Sequence, residues 1–208
     1  MIGSSIIKQF VVNLKNKIQY GLTDQECIEG IEEICSFFGI PVPVLIQNVT
    51  NDPDGCTCVI NKDRSTLHDD ILHYNLKELK SLGVSEKLGF MAVMTHECAH
   101  RVFQDYSFPG PDNGQWEKEM VADYFMGIKI GLSGWDVAPV INALARANGA
   151  GSHPVGKVRE EYIRYGMFEA RRHIIQRRKG TIQEYLDLFL EYRRTHYKEL
   201  REAELKIY

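Results

Sequence analysis

A chain of 208 residues, 44% apolar and 25% charged, has enough apolar material for one domain with a substantial core, or for a domain with a small helical appendage. Its formal net charge of -3 excludes the footprint of a nucleic-acid binder and of a protein drawn to an anionic membrane surface. The longest apolar run, Leu88 to Met94, is far shorter than the roughly 20 residues that a bilayer-spanning helix needs, so no transmembrane segment is expected.

The N-terminal stretch carries Lys8 and a brief Phe10-Val11-Val12 patch followed by Asn13 and Lys15. That is no signal-peptide apolar region, and a cytoplasmic location is the expectation. Residues 4–20 place Ile6, Ile7, Phe10, Val11, Leu14 and Ile18 at helical spacing, and Gly21 stops the pattern. Thr23 with Glu26 reads as a capping box opening a second helix, whose Cys27, Ile28, Ile31, Ile34, Phe37 and Phe38 face a core before Gly39 closes it. These two helices form a lead-in, residues 1–40, without chemistry of its own.

Residues 41–50 change character, with Val42, Val44, Leu45, Ile46 and Val49 typical of a strand and Asn51-Asp52-Pro53-Asp54-Gly55 a strong turn. Residues 56–61 and 70–74 read as two further strands, which predicts a small, mostly antiparallel sheet. A short helix over 75–82 ends at Gly83, and Ser85 caps a longer one running to about Gln104 with Leu88, Ala92, Val93 and Ala99 buried. Residues 105–114, with two prolines and two glycines, form a loop. Helices follow over 115–130 and 135–148, the latter opened by Ser133 and Asp136. Another begins at Pro154 and runs to about Arg178, and Thr181 with Glu184 caps a last one striped by Tyr185, Leu188, Phe189 and Tyr192. The fold class is therefore α+β and mainly helical, a single domain over 1–208 with its core in 41–178 and a C-terminal helix in 179–208.

Inside the longer helix lies His96-Glu97-Cys98-Ala99-His100, an H-E-x-x-H stretch. Residues four apart share a helix face, so both imidazoles reach one ion, while Glu97 stands off that line and close enough to handle a water. Two neutral nitrogen ligands, a carboxylate base and an open coordination position are what a zinc hydrolase needs. Glu119, on the next helix beyond one loop, is the preferred third ligand. Asp123, one turn on, is placed to accept a hydrogen bond from the outer nitrogen of a ligand histidine. Glu117 competes with Glu119 but has no carboxylate four residues later.

His96-Glu97-Cys98-Ala99-His100 followed by Glu119-Met120-Val121-Ala122-Asp123 resembles the gluzincin metallopeptidases, whose pattern is H-E-x-x-H and then a helix bearing E-x-x-A-D. His153-Pro154, with Arg159 six residues after the histidine, is similar to a motif of the CAAX prenyl endopeptidases and the related heat-shock membrane peptidases. The resemblance covers roughly residues 70–165, with its three motifs in the family's order. It implies a zincin-like fold and one zinc held by His96, His100 and Glu119. It implies Glu97 as the catalytic base on a peptide or protein substrate, with His153 and Arg159 near that substrate. Those peptidases are mostly membrane-anchored, and this chain, lacking such helices, looks like a soluble minimal relative.

Cys27, Cys35, Cys56, Cys58 and Cys98 show no paired framework and read as reduced thiols, and Cys56-Thr57-Cys58 lacks the second Cys or His pair that a further metal site needs. His68, His73, His173 and His196 read as structural or surface residues, and Arg171, Arg172, Arg177, Arg178 and Lys179 as a solvated face. A non-catalytic zinc-containing peptide-binding module of the same fold is the main alternative. A helical interaction protein using the Tyr185–Tyr197 stripe is the third.

Overall fold

The computed structural model describes residues 2–47, 56–59, 71–108, 115–146 and 154–205. Among them are eight helices and three short strands, and no described helix is long and apolar enough to cross a membrane. The chain divides into two compact units, Met1–Glu97 and Cys98–Tyr208, and the division falls inside one continuous helix.

The first unit contains α1 (Ile2–Tyr20), α2 (Asp24–Phe38), β1 (Val44–Gln47), β2 (Cys56–Val59), β3 (Ile71–Tyr74), α3 (Leu76–Ser81) and the start of α4 (Lys87–Val102). The capping box ahead of α2 is formed: Thr23 Oγ1 accepts from the Glu26 N–H at 3.1 Å, and the Thr23 N–H donates to Glu26 Oε2 at 2.8 Å. Partial burial works to raise the Glu26 carboxyl, but hydrogen bonds from Lys17 and the Thr23 N–H outweigh it and hold the group low. Gly39 ends α2 with φ at 68°, a left-handed conformation that suits glycine. Cys27, Ile31 and Ile34 of α2 pack in a core with Leu22, Leu72, Leu76, Leu79 and Phe90, whereas Ile28, expected inside, is exposed. Burial first, then the nearby Asp24 and Glu26 carboxylates, push the Cys27 thiol far up, so it behaves as an apolar core group. Cys27, Cys35 and Cys98 are buried and form no disulfide.

Three expectations for this unit need correction. The sheet is mixed, in the order β1-β3-β2, with β1 parallel to β3 and only β2 antiparallel to it. The turn expected at residues 51–55 lies outside the described residues, and β3 inserts between the strands that flank it. The stripe of α1 does not face a core throughout, since Val11, Leu14 and Ile18 are exposed. In α4 (Lys87–Val102), Leu88 is exposed, and Phe90, Met91, Met94 and Thr95 supply the burial beside Ala92 and Ala99.

The second unit is organised around α5 (Gln115–Ser133), joined by α6 (Ala138–Ala145), α7 (Gly156–Ile175) and α8 (Ile182–Leu205). From Trp116 to Gly131 every residue of α5 is buried except half-buried Lys118, as befits a helix enclosed on all sides. Its tightest neighbour is α7. An added Cβ at Gly127 would stand 2.0 Å from the Ile163 carbonyl oxygen, one at Gly131 2.9 Å from that of Met167, and one at Gly166 2.1 Å from that of Tyr124. The contacts 127–163 and 131–167 advance together along both helices, so α5 and α7 run parallel at backbone contact. The side chain created by Gly127→Ala meets rigid backbone, so the substitution is expected to cost about 3 kcal/mol, read as a fall in Tm of roughly 6–12 °C in calorimetry.

Two helix starts differ from expectation. α6 is confined to Ala138–Ala145, with Pro139 in its first turn and Asp136 Oδ1 accepting from the Ala138 N–H at 3.4 Å. α7 begins at Gly156 rather than Pro154, at a point where a Cβ would lie 2.2 Å from the Leu144 carbonyl oxygen. Pro154 and Val155 are a buried extended lead-in, Val155 having φ -59° and ψ 148°. The box opening α8 is formed, with the Thr181 N–H on Glu184 Oε2 at 2.8 Å and the Glu184 N–H on Thr181 Oγ1 at 3.1 Å. Tyr185 and Phe189 of the α8 stripe are buried, and Leu188 and Tyr192 half-buried.

Candidate metal centre

Helix α4 carries His96 and His100 one turn apart, and α5 carries Glu119 near its start. One ligand atom from each of these three residues lies within 4.8 Å of the others. His100 Nε2 is 3.4 Å from Glu119 Oε1. That is long for an N–H···O hydrogen bond. It matches the edge of a tetrahedron with metal–ligand bonds of about 2.0–2.2 Å, which is roughly 3.4 Å. Two imidazoles and a carboxylate are a donor set that zinc accepts. His96 and Glu119 are buried, while the His100 side chain keeps 22% of its surface exposed. With solvent reaching the site beside His100, an ion held by these three residues would keep a fourth position open to water. Among the described residues this is the group of His, Cys, Asp or Glu side chains so disposed.

The Glu117 side chain is fully buried and its Oε1 accepts from Arg193 Nη2 of α8 at 2.6 Å. Residues two apart on a helix diverge, so Glu117 is turned to α8 where Glu119 is turned to His100. Glu97, next to His96 on α4, is half-buried. His153 lies outside the described residues.

Asp123 and Arg159 meet each other. Arg159, in the first turns of α7, donates Nε to Asp123 Oδ2 at 2.8 Å and Nη2 to Oδ1 at 2.9 Å. The Asp123 side chain is 0% and the Arg159 side chain 11% exposed, so this two-pronged, charge-assisted pair is sealed inside the second unit. Asp123, expected to serve a ligand histidine, and Arg159, expected near substrate, are thus brought together. Arg193 and the glycines at 127, 131 and 166 were missed entirely. A signal for the glycines existed, since Glu119, Asp123, Gly127 and Gly131 recur at intervals of four. No such pattern announces Arg193.

Comparison with protein-family models, with curated proteins and with solved structures found no match to this chain.

Proposed function

We propose that this chain is a zinc-dependent endopeptidase of zincin-like architecture, similar to the gluzincins, with His96, His100 and Glu119 as metal ligands and Glu97 as general base. The observation that carries the reading is the convergence of the three ligand atoms within 4.8 Å, with a carboxylate adjoining the first histidine in sequence. When bound, zinc supplies a Lewis acid that acidifies water and polarises a carbonyl at neutral pH. Glu97 takes a proton from the attacking water and then delivers it to the nitrogen of the departing amine. His96 and His100, four apart on a rigid helix, hold their donor nitrogens at fixed spacing, and buried Glu119 completes the set with a negative charge. The substrate class is a peptide or protein amide, the bond that this combination of base and Lewis acid attacks.

Metal analysis of the purified protein, paired with peptide-library cleavage read by mass spectrometry, tests the proposal. One zinc per chain is expected, with cleavage lost on chelation and restored by zinc. Cleavage indifferent to chelation overturns it. Stoichiometric zinc with no cleavage of any library would instead favour a peptide-binding module.

A further inference from the structure

The row Glu119, Asp123, Gly127, Gly131 runs along one side of α5, turning by about 40° at each step. Its three later members all meet α7, in step: Asp123 with Arg159, Gly127 with the Ile163 backbone, Gly131 with the Met167 backbone. Its first member is the carboxylate facing His100. The glycines set how closely the two helices approach, but carbonyl-to-glycine contacts are forgiving to a slide along the axis. The Asp123–Arg159 pair is not, because two parallel N–H···O bonds fix both distance and angle. It is the directional contact lying one turn from Glu119.

We infer that Arg159 is a positioning residue for the metal centre: gripping Asp123, it holds the Glu119 turn of α5 at the setting from which that carboxylate meets His100. The inference rests on the zinc reading above. It gives Arg159 a different duty from substrate contact: its side chain is 11% exposed and places two of its N–H donors on Asp123. Nor is stability the natural reason for such a pair, since a buried ion pair is commonly no more stabilising than apolar residues filling the same space. Fixed geometry is what it adds.

The test measures zinc affinity by competition with a chromogenic chelator, the visible spectrum of the cobalt-substituted protein, and kcat and KM at saturating zinc. Variants R159M, R159K and the apolar pair D123L/R159L are compared with the parent protein. R159M is expected to bind zinc 10- to 100-fold more weakly, with a changed cobalt spectrum and an unaltered KM once loaded. R159K, a point charge without the fork, recovers part of the affinity. D123L/R159L is expected to keep its Tm within a few degrees yet lose the same affinity, which separates positioning from stability and keeps the test decisive should R159M fail to fold. Parental zinc affinity and cobalt spectrum in R159K and D123L/R159L overturn the inference, and a raised KM with affinity intact returns Arg159 to the substrate. Failure of the zinc reading looks different: the parent protein itself then takes up no stoichiometric zinc.

Discussion

Glu97→Gln is expected to lower peptide hydrolysis by at least ~10²-fold while zinc content and Tm stay at their parental values. Glutamine fills the same volume on the same half-buried face of α4, so the helix and the two flanking ligands are undisturbed. What it lacks is a basic oxygen to take the water's proton and an acid to return it to the amine. The effect should fall on kcat, because the carboxylate acts in the proton transfers and not in holding the substrate. The measurement is turnover of a cleaved peptide beside metal analysis of the same preparation. Activity within a few-fold of the parent would place the base elsewhere.

The second large effect is loss of the metal from a His96→Ala/His100→Ala double variant. Zinc sites with four protein ligands bind with about 10–16 kcal/mol, or roughly 3 kcal/mol per ligand, so losing two costs about 6 kcal/mol, on the order of 10⁴-fold in affinity. Dialysed protein should then carry no zinc, and the part of its thermal stability that depends on added zinc should vanish, since only ligand binding to the folded state supplies it. The helix itself should persist, because alanine favours it and the buried side chains of Phe90, Met91, Met94 and Ala99 are untouched by the change. Full zinc stoichiometry in the double variant would end the assignment of these ligands.

Local chemistry made much of this protein legible from sequence. The boxes at Thr23–Glu26 and Thr181–Glu184 involve atoms only three residues apart, so residue types and spacing suffice to specify them. The spacing of His96 and His100 is likewise a property of one helix. Preferring Glu119 to Glu117 needed only the remark that a carboxylate follows the former by one turn, and the structure turns Glu119 to His100 and Glu117 to Arg193.

Whatever depends on which distant segment arrives opposite a residue was decided by the tertiary structure alone. The amphipathic period of α1 predicted a helix, but not that Val11, Leu14 and Ile18 stand exposed, because period says which residues share a face and not what covers it. Strand propensity located β1, β2 and β3, but pairing is written in backbone hydrogen bonds that every residue type can make, so the insertion of β3 between the other two left no trace in composition. H-E-x-x-H drew attention to α4, whereas the most enclosed helix is α5, whose burial follows from its neighbours. The partner of Asp123 lies 36 residues away on α7, and only helices packed at glycine contact bring the two charges together. Sequence by itself determined the presence of the helices, the two capping boxes and the residue types able to bind a metal, since each is settled within a turn or two of chain. The fold decided which carboxylate faces His100 and which charges pair one turn further along α5, since those are distances between segments that no local preference encodes.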